Sequence, residues 1–98
     1  MEQRVIAHFT LGGAGFGDPE QRKTMFEAEK RLRALVAEAS VGAVDGNEYG
    51  GGRVALYAYG ADADALFAAM ETELRAVPFR PAHVYVVYSD DSSRRVDL

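Results

Sequence analysis

The chain has 98 residues, of which 48% are hydrophobic and 27% charged, with a formal net charge of −4 at pH 7. A single core typically organises about 100 to 150 residues, so the length excludes a second domain and the composition argues against disorder. The absence of cysteine excludes disulfides, thiolate metal ligands and cysteine nucleophiles, and the chain holds two histidines, His8 and His83.

The first predicted elements are a strand and a long helix. Residues 4–11 are rich in β-forming side chains and predict a central strand. After a glycine-rich stretch, Asp18 and Pro19 are typical of an N-cap and a first helical position, and Gln21 completes a capping box. Apolar residues then recur at helical spacing, which predicts a helix over residues 19–40.

A hairpin follows the first helix. Residues 44–49 and 53–59 have strand composition and are separated by three consecutive glycines. The first arm is interrupted by polar residues, so we expect an edge strand with a bulge at Asp45-Gly46. The glycines leave the register of the hairpin open, and Asp45, Asn47 and Tyr49 are therefore assigned to neither face of the sheet.

The C-terminal half predicts one more helix and one more strand. Apolar residues at helical spacing predict a helix over residues 61–77, which ends at Pro78. Residues 82–89 predict the last strand, and the polar residues 90–98 predict a frayed C-terminal tail. The expected organisation is a single ferredoxin-like domain over residues 1–89, followed by that tail.

The element order is β-α-β-β-α-β, with crossover helices after the first and third strands. Two right-handed crossings of this kind predict an α+β ferredoxin-like plait. We expect a four-stranded antiparallel sheet in the spatial order 4-1-3-2, with both helices on one face.

The other face of that sheet is expected to remain uncovered, and we call it the open face. Because side chains alternate along a strand, one set packs under the helices and the complementary set points away from them. His8 is expected between Tyr57 or Tyr59 of the third strand and His83 or Tyr85 of the fourth. The residues predicted to form a binding interface on the open face are Ile6, His8, Tyr57, Tyr59, His83, Tyr85 and Val87.

Three functions compete for the open face. Self-association into a homodimer, or binding of another protein, buries the apolar and aromatic side chains that a plait leaves bare. A small-molecule or catalytic pocket would use His8, Tyr57 and His83, since histidine titrates near neutrality and tyrosine donates hydrogen bonds. RNA-recognition domains share the topology, but residues 53–57 read RVALY and lack the RNA-binding motif, and the net charge is acidic. Because no catalytic constellation is complete, we expect an interaction module and not an enzyme.

No cofactor, metal or membrane is indicated by the remaining motifs. The glycines before Asp18 fit no phosphate-binding pattern, and the spacing of Asp62 and Asp64 fits helix capping better than a calcium loop. No apolar run reaches the length of a membrane helix. The first apolar stretch, residues 5–11, follows only four residues and predicts neither signal peptide nor anchor, which favours the cytoplasm.

One segment carries a resemblance. Residues 45–52 read DGNEYGGG and residues 56–67 read LYAYGADADALF. This resembles a D-G-x-E-x-G-x-G, L-Y-x-Y-G-x-D-A-D-x-L-F pattern in small bacterial ferredoxin-like proteins of uncharacterised function. The resemblance implies the plait fold and no reaction. Its alternatives are glycines that shape the bulge and turn while Tyr57 and Phe67 pack, or a functional polar edge formed by Asp45, Asn47, Glu48 and Arg53.

Overall fold

The structure is a computed structural model that describes residues 2–12, 15 and 17–98. Within these residues, two helices lie among five strands. In chain order they are β1 (Gln3–Thr10), α1 (Pro19–Ala39), β2 (Ala43–Gly50), β3 (Arg53–Gly60), α2 (Ala63–Ala76), β4 (Ala82–Val87) and β5 (Ser93–Asp97).

The five strands form one antiparallel sheet in the order β2-β3-β1-β4-β5. The prediction of a four-stranded ferredoxin-like plait in the order 4-1-3-2 is therefore wrong. The difference arises at the C-terminus, where β5 pairs with β4 and becomes the edge of the sheet. At the opposite edge lies β2, and β1 is the central strand.

The polar residues 90–98 are not a frayed tail, because they turn back and form β5. The turn is closed by backbone hydrogen bonds from the Tyr88 N–H to the Ser92 carbonyl and from the Asp91 N–H to the Tyr88 carbonyl, and the Asp90 carboxylate accepts from the Ser92 backbone N–H at 3.0 Å. Val96 then pairs with Val84 and packs against the core. Because most positions of an edge strand stay in water, one such apolar residue is enough to attach the strand to the core. The composition of β5 therefore resembles that of a polar tail.

The core lies between the sheet and the two helices, which pack against each other on one face. Helix α1 contributes Met25 and Leu32, and α2 contributes Leu66 and Met70, all almost completely buried. The strand residues that alternation assigns to the helix side are also buried. They are Val5, Ala7, Phe9, Val54, Leu56, Ala58, Ala82, Val84 and Val86.

Both helices begin at the aspartates that the sequence predicts. The Asp18 carboxylate accepts from the Gln21 backbone N–H at 2.8 Å, and the Gln21 side chain accepts from the Asp18 backbone N–H at 3.0 Å, so the capping box is confirmed. Asp62 caps α2 by accepting from the backbone of Asp64 and Ala65. In the described part of the chain, neither helix combines the length and apolar character needed to cross a membrane.

Candidate functional site

The open face is organised in rows that run across the strands. In one row, Glu48 stands opposite Ala55, Ala55 opposite His8, His8 opposite His83, and His83 opposite Asp97. Directly opposed residues of an antiparallel pair project to the same face, with Cβ atoms about 4.5 to 5.5 Å apart. The row therefore brings two imidazoles into contact and places a carboxylate near each end.

The two imidazoles stack on one another. Their ring centroids are 4.8 Å apart and their planes differ by 24°. The Tyr85 ring, one row further along, meets both edge-on, at 5.9 Å from His8 and 5.1 Å from His83. The three rings form a continuous aromatic cluster, and each side chain is half-buried by its neighbours.

The electrostatics of this cluster favour neutral imidazoles. The pKa of His8 is lowered from 6.5, first by burial and then by the charges of His83 and Arg53. Burial also lowers the pKa of His83, and Arg95 and Arg53 act in the same direction while Asp97 opposes them. A neutral imidazole has one nitrogen that donates and one that accepts, so the pair can hold or exchange a proton or offer lone pairs to a ligand.

The next row forms the apolar centre of the open face. Ile6 lies between Tyr57 on β3 and Tyr85 on β4, and Tyr85 is followed by Arg95 on β5. The row beyond it holds Tyr59 and Val87, which the sequence predicts for the interface, with Arg4 between them. Val87 is buried yet lies outside the core cluster under the helices, as expected for the opposite face.

All seven residues predicted for the interface thus lie on one face, but within the described residues His83 does not line the depression that His8 and Tyr57 border. His8 and Tyr57 border an open depression of about 370 Å³, together with Glu48, Arg53 and Ala55. The depression exists because the small Ala55 separates Glu48 from His8 in their row. His83 lies on the far side of His8 and contacts it directly.

The predicted polar edge is divided between the two faces. A register shift between Val44 and Gly46 confirms the bulge at Asp45, and beyond it Asn47 and Tyr49 point to the helix side. Asn47 donates to the Glu29 carboxylate there at 2.9 Å. The remaining members, Asp45, Glu48 and Arg53, border the open face.

The open-face residues of β5 are missing from the sequence prediction. Arg95 and Asp97 lie on β5, facing Tyr85 and His83, and the Arg95 guanidinium donates to the Asp97 carboxylate at 3.0 Å. The sequence feature that indicates this strand is the alternation of polar and apolar residues around Val96. That stretch is too short to distinguish a strand from a polar terminus. As for metals, no group of three or more His, Cys, Asp or Glu side chains suited to hold an ion occurs in residues 2–12, 15 and 17–98.

Comparison of the chain with protein-family models, with curated proteins and with solved structures gave no match. The function must therefore be inferred from the geometry of the open face.

Proposed function

We propose that this chain is a small interaction module that forms a homodimer through its open face. The observation that carries the proposal is the apolar row at the centre of that face, where Ile6 lies between Tyr57 and Tyr85 beside the stacked histidines. Both helices cover the opposite face. Aromatic side chains on an uncovered surface gain most from burial against a partner, and tyrosine is enriched at such contacts.

A second copy of the chain is the partner that we propose, because one symmetric arrangement brings the apolar centres of the two open faces together. Asp45 and Glu48 lie at the β2 edge of the open face with Arg53 beside them on β3, and Arg95 and Asp97 form an ion pair at the β5 edge. A two-fold axis parallel to the strands places β2 of one copy over β5 of the other. Each row of one copy then lies over the same row of the other, so Asp45 approaches Arg95, Glu48 approaches Asp97, and the apolar rows meet at the centre.

Catalysis is less well supported by this geometry. Enzyme sites usually exclude water from a concave pocket that holds all reacting groups. Here the depression beside His8 is open to solvent, and His83 does not line it. We also propose a cytoplasmic location.

A small-molecule binding site is the second candidate, on one specific observation. The depression beside His8 combines the Arg53 guanidinium, the Glu48 carboxylate and the Tyr57 ring. These groups would hold a small polar ligand carrying both charges. A binding site for such a ligand is complete in one chain, whereas the homodimer needs two chains.

Light scattering after size exclusion tests the homodimer. At about 100 µM we expect the mass of two chains for the natural protein. The double variant Ile6→Ser/Tyr57→Ser should give the mass of one chain, because it removes the apolar centre of the contact. The matched control is Phe26→Ser, which removes a side chain that is 60% exposed on α1 and should leave the dimer intact. A monomeric natural protein, or a dimer that only Phe26→Ser disrupts, contradicts the proposal.

A further inference from the structure

We propose that His8 and His83 form a metal site within one chain, a two-imidazole chelate for a transition-metal dication such as Ni²⁺ or Zn²⁺. The two residues are directly opposed on neighbouring strands and project to the same face. Their rings are already in contact, with centroids 4.8 Å apart.

The spacing of the pair suits a single ion. Metal–imidazole bonds are about 2.0 to 2.1 Å long, so two nitrogens on one ion lie about 3 Å apart. Rings that stack at 4.8 Å need only turn about their Cβ–Cγ bonds to aim one nitrogen each at the space between them. That torsion is broad for histidine, so the movement costs little.

The nitrogens of both rings are chemically free to bind. Neither imidazole makes a side-chain hydrogen bond to another group among the residues that the structure describes. Burial and neighbouring positive charge lower the pKa of each ring, and a metal binds the neutral form. The cation faces Arg53 and Arg95, which repel it, and Asp97 and Glu48, which offset that repulsion from the ends of the row.

The ligand type sets the class of ion. Imidazole nitrogen suits Ni²⁺, Cu²⁺ and Zn²⁺, whereas Mg²⁺ and Ca²⁺ prefer oxygen ligands. Since two side chains leave the other coordination positions to water, the ion should be exchangeable and not a fixed structural metal. Asp97 stands opposite His83, where its carboxylate, which accepts from Arg95, adds negative charge near the ring.

The chelate is complete within one chain and does not rest on the proposed dimer. A calorimetric titration with NiCl₂ tests it, on the natural protein and on the monomeric double variant Ile6→Ser/Tyr57→Ser. We expect one Ni²⁺ per chain in the monomeric double variant, weaker binding by the natural dimer because the second copy covers His8, and no heat of binding with MgCl₂ in either protein. If neither protein binds Ni²⁺ while the natural protein is dimeric, the chelate is overturned and the homodimer is not.

Single substitutions identify the ligands. We expect His8→Gln and His83→Gln each to weaken Ni²⁺ binding by about tenfold or more, because each leaves one imidazole. The matched control is Asp91→Asn in the β4–β5 turn, where asparagine tolerates the left-handed backbone and affinity should not change. Paramagnetic broadening of the ring protons of both histidines in the natural protein provides a second readout that needs no variant. The proposal is overturned if either histidine variant keeps its Ni²⁺ affinity within twofold of the natural protein. It is also overturned if Ni²⁺ broadens only protons outside the two histidine rings.

Discussion

Arg94 on β5 donates a hydrogen bond to Asp64 in the first turn of α2, at 3.0 Å. The Tyr88 hydroxyl donates to the same carboxylate oxygen at 2.7 Å, and the Arg94 guanidinium lies 5.7 Å from the centroid of the Phe67 ring. Both hydrogen bonds lower the pKa of Asp64, which stays charged. These contacts join the edge strand to the helix layer, and they explain how a polar C-terminal segment is held in the sheet.

Replacing Arg94 should loosen β5 without unfolding the core. For Arg94→Ala we expect the backbone amides of β5 to exchange with solvent deuterium about threefold faster or more, because the strand loses its attachment to α2. Amides of the central strand β1 should keep their protection. The matched control is Arg95→Ala, since Arg95 points to the open face and does not contact α2. Equal effects of the two substitutions would contradict this role for Arg94.

The stability of the fold should fall on mild acidification because of the histidine pair. The pKa values of His8 and His83 are lowered from 6.5 in the folded chain, so the unfolded chain binds protons more readily. The stabilisation is fully present above pH 6.5 and is lost as the pH falls from there through the lowered values. Urea unfolding at about pH 7.5 and about pH 5 should therefore give a smaller free energy of unfolding at the lower pH.

The double variant His8→Gln/His83→Gln is the control for that pH dependence. It should lose most of the change in this window, since the lowered pKa values of Asp64 and Asp90 act only below the ordinary carboxyl value of 3.8. A natural protein that becomes more stable between about pH 7.5 and about pH 5 would show that the histidines gain protons on folding.

Gly60 is required where β3 ends. A Cβ atom at this position would overlap the carbonyl oxygen of Val41, which belongs to the backbone and cannot move aside. We expect Gly60→Ala to reduce the free energy of unfolding by about 2 kcal/mol or more. Gly46→Ala is the matched control, because nothing lies within 4 Å of its Cβ position, and it should change stability by less than about 0.5 kcal/mol. Similar losses in urea unfolding for both variants would contradict this account.

The features that local chemistry determines could be predicted from the sequence. The capping box at Asp18 and Gln21 depends on residues three apart, and the buried face of each strand depends on alternation alone. The same alternation predicts His8 and His83 on one face. Their stacking depends on the register between β1 and β4, which are distant in sequence. The apolar pattern restricts that register but does not determine it.

The features that were missed depend on tertiary contacts. The segment that forms β5 has one core-packed valine, Val96, among polar residues, and it is ordered by Asp64 and Ala82, which lie far away in sequence. The faces of Asn47 and Glu48 depend on the bulge at Asp45, and the neighbouring glycines permit more than one register. Composition cannot distinguish these registers, because they differ in which residues are paired across the strands and not in strand propensity.

The central claim is that a second copy of the chain covers the open face. An isotope-filtered nuclear Overhauser experiment tests it on a mixture of labelled and unlabelled chains, because it detects contacts between copies only. The account predicts cross-peaks between copies from the ring protons of Tyr57, Tyr85 and His8. Cross-peaks confined to Phe26 and the outer surface of α1, or none from a mixture in which every chain is dimeric, would contradict it.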